Sequence, residues 1–144
     1  MNCAKTGIIG AVLLWLCAGM LLLAVPASFA ESKINCDIQN QRCKQQVGER
    51  TVALNITPKP VKAMKELTFT VTIHGKPLQK APHIDLDMPA MEMGPNRVTM
   101  EKVGDLTYEG TGVIVRCPSG NTLWEAIVTL PGAGKASFIF DVVY

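Results

Sequence analysis

His83-Ile84-Asp85-Leu86-Asp87-Met88-Pro89-Ala90-Met91-Glu92-Met93 is the stretch whose reading decides the fold. Ile84, Leu86 and Met88 alternate with Asp85 and Asp87, the period-two pattern of a strand with one face buried. Pro89 then removes a backbone donor and ends the strand in a bend. The bend carries three methionines within six residues, the densest soft-ligand cluster in the chain.

Outward from this stretch the same period recurs. Val52, Leu54 and Ile56 form one apolar row, stopped by Pro58 and Pro60. Leu67, Phe69, Val71 and Ile73 alternate with three threonines, and His74-Gly75-Lys76-Pro77 turns the chain. After Gly94-Pro95-Asn96, Val98 and Met100 face inward on a short strand. Leu106 to Cys117 reads as one long strand whose Gly110 and Gly112 mark a bulge or a close backbone approach. Trp124, Ala126, Val128 and Leu130 form the next row, and Phe138, Phe140, Val142 and Tyr144 the last. About seven short strands, spaced by Gly/Pro turns and without a convincing helix, predict an all-β immunoglobulin-like sandwich over 51–144. About 100 residues with such rows can bury a core without a metal.

The beginning of the chain is different. Lys5, an uncharged apolar run from Gly7 to Val25, and Ala27-Ser28-Phe29-Ala30 have the order of a signal peptide covering 1–30, with cleavage before Glu31. The run is nearly long enough to span a bilayer, so an uncleaved anchor is the competing reading. Both put the folded part in the periplasm or otherwise outside the cytoplasm. Cys17 follows Leu16 rather than a small residue, which argues against lipidation. Polar residues 31–50, rich in Gln and Asn, read as an irregular lead-in. Cys36 and Cys43 are expected to clip it with a disulfide, leaving Cys117 as a free thiol.

Without Lys5, 13 of the 14 basic side chains remain against 12 acidic ones, and none form a basic run. That balance argues against nucleic acid and against a polybasic membrane contact. Nucleophile elbows, Gly-rich phosphate loops and zinc-type His/Cys spacings are missing, so no enzymatic activity and no small-molecule substrate is expected.

Thioether sulfur is a soft, neutral ligand, so the methionines point first to Cu(I). Met91 and Met93 project to one side if the backbone is extended, and the bend at Pro89 can bring Met88 round to complete a three-sulfur set; Glu92 would point away. Up-and-down strands place Met64 and Cys117 at the same end, as secondary candidates. His83 stands at the far end of its strand, roughly 17 Å from Met88, too far to share an ion. His74 lies at that far end too, and the pair could make a second, weaker site. Met100 and Trp124 read as core. The competing reading treats the methionines as an adaptable hydrophobic contact for an envelope partner.

The run Asp87-Met88-Pro89-Ala90-Met91-Glu92-Met93-Gly94-Pro95, followed by Gly104-Asp105-Leu106-Thr107-Tyr108-Glu109-Gly110 and the Trp124 strand, resembles the YtkA-like domain, which is related to the FixH family. The resemblance covers roughly Thr51 to Tyr144. It implies an extracytoplasmic immunoglobulin-like sandwich and, because relatives occur beside copper efflux adaptors and in the assembly of copper oxidases, copper handling with an envelope or membrane partner. Leu106 stands where a glycine is usual, and the Cys36 to Cys43 lead-in lies outside the pattern.

Overall fold

Sustained alternation becomes strand throughout the computed structural model, which describes residues 33–89, 91 and 93–144. The expected leader and the orientation of Glu92 lie outside the described residues. Among the described residues nine strands follow one another: β1 (Cys43–Val47), β2 (Arg50–Thr57), β3 (Glu66–His74), β4 (His83–Asp87), β5 (Arg97–Thr99), β6 (Glu101–Lys102), β7 (Thr107–Val113), β8 (Leu123–Leu130) and β9 (Gly134–Asp141). They form two antiparallel sheets, ordered β1-β2-β3-β7-β6 and β5-β4-β8-β9. Leaving β1 aside, this is the strand order of the immunoglobulin sandwich. The described residues form an all-β sandwich.

The predicted rows are the core. Leu67, Phe69, Val71 and Ile73 of β3 face Ile84 and Leu86 of β4 and Trp124, Ala126 and Val128 of β8 across the sandwich, all essentially inaccessible to water. Residues Glu31–Tyr144 form one compact unit with this core to itself, which is what independent folding requires.

Three expectations need correction. The lead-in is not irregular throughout: β1 pairs with β2 from Cys43↔Leu54 to Val47↔Arg50, and Cys36, Ile38, Cys43 and Val47 join the core. Its Gln/Asn composition hid the strand because only alternate positions meet the sandwich. The expected Cys36–Cys43 disulfide is present, and Cys117 is free. Secondly, the long strand ends at Val113, because Ile114 gives its carbonyl to the Met64 amide instead of to a sheet neighbour. Thirdly, the strand carrying Val98 and Met100 is split in two. β5 belongs to one sheet and β6 to the other, with buried Met100 at the crossing.

That crossing explains the glycines. A Cβ on Gly110 would stand 2.3 Å from the Thr99 carbonyl oxygen, and one on Gly112 would stand 2.6 Å from Val98 Cγ2. Of the two predicted roles, bulge or close approach, the second is the one observed.

Register fixes which turns share an end. Asp87 pairs with Glu125, Leu123 with Asp141, and Glu66 with Val113. Met88, Met64, Cys117 and the C-terminal residues therefore lie at one rim, and His83, paired with Thr129 and Thr99, lies towards the other.

Candidate metal centre

The rim is built on a tight reversal. After β4, the Met88 amide donates to Asp87 Oδ1 at 2.8 Å, and the Met91 amide donates back to the Met88 carbonyl at 3.1 Å. Pro89 is the second residue of this four-residue turn, the place its fixed φ suits. Met88 and Met91 thus become opposed residues of an isolated antiparallel bridge. Opposed residues have Cβ atoms about 5 Å apart, so the turn brings the two methionines close at the level of the backbone.

The three methionines are not equivalent. Met88 does not swing out: it is 2% exposed and continues the core row of Ile84 and Leu86. Met91 is 42% exposed, and Met93 is half-buried against the core. The cluster thus has one buried side chain, one open to solvent and one between. Burial of Met88 follows from the alternation, which the proline interrupts one residue too late to release it.

Met64 is 63% exposed and has φ 60°, a left-handed conformation that side chains with a Cβ rarely adopt. Its amide donates to the Ile114 carbonyl at 2.7 Å, which ties it to the same rim. Cys117 is buried. The Tyr144 hydroxyl accepts from its amide at 3.1 Å and donates to the Asn121 carbonyl, pinning the loop between them. Cys117 Sγ lies 2.9 Å from Ser119 Oγ. Hydrogen bonding from the Ser119 hydroxyl and amide, with a smaller contribution from the Asn121 amide, holds the thiol below its ordinary value against the opposing effect of burial.

The remaining candidates take structural places. His83 Nε2 is 3.5 Å from Asp85 Oδ2, and Asp85 also accepts from Arg97 Nε at 2.6 Å. The hydrogen bond and the charge of Asp85 raise the Arg97 pKa above its ordinary value. His74 pairs with Thr51 at the end of β3, in the other sheet. Among the described residues no three His, Cys, Asp or Glu side chains are grouped to hold an ion. Trp124 is core, with its buried Nε1 lacking a hydrogen-bond partner. Sequence reading missed Met64's backbone conformation, for which neighbouring Ala63 and Lys65 give no signal, and it missed Tyr144 as the clamp on the Cys117 loop. A comparison of the chain with family models, curated proteins and solved structures finds no match.

Proposed function

We propose that this domain is an extracytoplasmic Cu(I)-binding module for copper delivery, tolerance or oxidase assembly. The observation that carries this reading is the Met88–Met91 bridge, a tight reversal that brings the backbones of two methionines together, with Met91 open to solvent and Met93 two residues on. Met91 and Met93 are the proposed ligands, with Met88 buried at the bridge. Thioethers are neutral and soft, and bound Cu(I) is the metal they favour over harder divalent ions. The Cys36–Cys43 disulfide supports an oxidising compartment, as does the order of the leader. The resemblance to YtkA-like domains is part of the same proposal, and no catalytic role is assigned.

A Cu(I) competition titration on Glu31–Tyr144 tests the site. Met91→Leu combined with Met93→Leu is expected to abolish binding, a loss of at least a hundredfold in affinity, while Tm moves by no more than about 2 °C because leucine conserves volume. Unchanged affinity in the double variant refutes the assignment.

A pH series distinguishes the secondary candidate. Thioether ligands release no proton, so affinity should be flat from pH 5 to 8. A thiolate ligand must be deprotonated, so if Cys117 took part, affinity would fall as pH falls, and Cys117→Ser would abolish it. Met-only binding requires that Cys117→Ser leave affinity untouched.

The exposure of Met91 also favours a second reading, a non-catalytic interaction domain of an envelope complex that uses the methionine loop as a hydrophobic contact. On that reading the wild-type domain gives no Cu(I) binding in the titration, and the same double variant weakens partner capture.

A further inference from the structure

Five methionines fall among the described residues, and exposure divides them. Met64 is 63% and Met91 42% exposed, whereas Met88 is 2% and Met100 3% exposed, and Met93 is half-buried against the core. Methionine is open to one further piece of chemistry outside the cytoplasm, oxidation to the sulfoxide, which turns a flexible apolar side chain into a polar one. Access to the sulfur decides where that happens.

At the methionine bend the contrast falls within a single turn. The hydrogen bond that closes it runs from the Met91 amide to the Met88 carbonyl and involves neither side chain. A sulfoxide on Met91 would meet water and leave the turn as it is. A sulfoxide on Met88 would put a strong acceptor into the buried row of Ile84 and Leu86, where an unpaired polar group is costly and an oxidant has no access. Packing thus directs the oxidation to a proposed copper ligand and away from the core residue opposed to it.

We propose that Met91 is a modification site for peroxide, and that its conversion to the sulfoxide switches off Cu(I) binding at the methionine bend. The sulfur lone pair attacks one oxygen of hydrogen peroxide, and the O–O bond breaks as the S–O bond forms. The proton of the transferred hydroxyl leaves with the other oxygen as water, so sulfur loses two electrons and the peroxide gains them. The same lone pair is the one a soft ion would use. In its place the sulfoxide offers an electron-poor sulfur and a hard oxygen, neither suited to Cu(I). By the same competition, an ion already held by Met91 shields its sulfur from the oxidant. This inference rests on the copper reading and names the condition that closes the site.

The test is timed exposure of Glu31–Tyr144 to hydrogen peroxide with metal chelated, followed by peptide mapping in a mass spectrometer, which reads each sulfur separately. Met64 and Met91 are expected to oxidise first, with Met88 and Met100 slower by roughly tenfold or more. After peroxide is removed, the fraction of domain competent for Cu(I) should fall in step with the sulfoxide at Met91 and not with that at Met64, while Tm moves by no more than about 2 °C. Ag(I), used as a soft ion in place of Cu(I), should slow oxidation at Met91 and leave the rate at Met64 unchanged. Met91→Gln, which brings a polar group of similar length without any oxidant, should lower Cu(I) affinity by about tenfold or more. If the untreated domain binds Cu(I) and the Met91 sulfoxide form binds it equally, or if Met91 oxidises no faster than Met88, this inference falls and the copper reading stands. Equal rates at Met91 with and without Ag(I) would take Met91 out of the site and overturn both, as would an untreated domain that binds no Cu(I).

Discussion

Gly110→Ala is expected to destabilise the domain by about 3 kcal/mol, at the upper end of what overpacking a core costs, and to lower Tm by on the order of 10 °C. The added methyl would meet the Thr99 carbonyl oxygen at 2.3 Å, Val98 Cγ1 at 2.9 Å and Met100 Sδ at 3.0 Å. The two side-chain contacts could yield by a rotamer change, but the carbonyl belongs to the crossing from β5 to β6, which is held on both sides by sheet pairing. Relief therefore requires pulling the crossing away from β7. Gly112→Ala gives a contrast, because its nearest obstacle is the Val98 side chain at 2.6 Å. Val98→Ala should restore most of the stability lost in Gly112→Ala and little of that lost in Gly110→Ala. Thermal unfolding of the three single and two double variants measures this, and equal rescue at both positions would show that the backbone contact is not the obstacle.

Removing the Cys36–Cys43 disulfide, by replacing both residues with alanine, is expected to cost about 2.5 kcal/mol, the loop-closure entropy of a link spanning seven residues. In urea this corresponds to a midpoint lower by about 1–2 M with little change in slope. The loss should be uneven over the molecule. Asn35 and Cys36 both donate backbone N–H groups to the Ile139 carbonyl, and the Asn35 side chain accepts from the Ile139 amide, so the segment covers the open edge of β9. β1 is itself the outer strand of the other sheet. Without the link, amide exchange should accelerate first in β1 and at Ile139, and the uncovered β9 edge should make the variant prone to associate. Uniform acceleration across β3 and β8 would mean that the disulfide acts on the whole unit and not on this edge.

Both results depend on features with different visibility in the sequence. The pairing of Cys36 with Cys43 was legible because two cysteines seven residues apart close a loop at little entropic cost. The close approach at Gly110 and Gly112 was legible as one of two options, since a glycine in a strand says that something is near without saying what. β1 was not legible, because Lys44 and Gln46 alternate with Cys43, Gln45 and Val47 in a pattern too polar to stand out from a loop.

For the candidate site the division is similar. Alternation placed Met88 in the core row, Pro89 at the bend, and the methionines, Met64 and Cys117 at one end with His83 away from them. All of this follows from side-chain period and strand rise. The degree of exposure of each methionine did not follow, because burial at a rim depends on where the opposite sheet stops.

By itself, the sequence determined the all-β class, the strand faces, the disulfide and the end of the sandwich on which the methionines gather, because each is a local consequence of period-two alternation, proline placement or cysteine spacing. Only the tertiary structure decided that β5 and β6 divide between two sheets, that Met88 is buried and Met91 open, and that the Met64 amide bonds to the Ile114 carbonyl. These depend on contacts between segments far apart in the chain, whose distances no local pattern encodes.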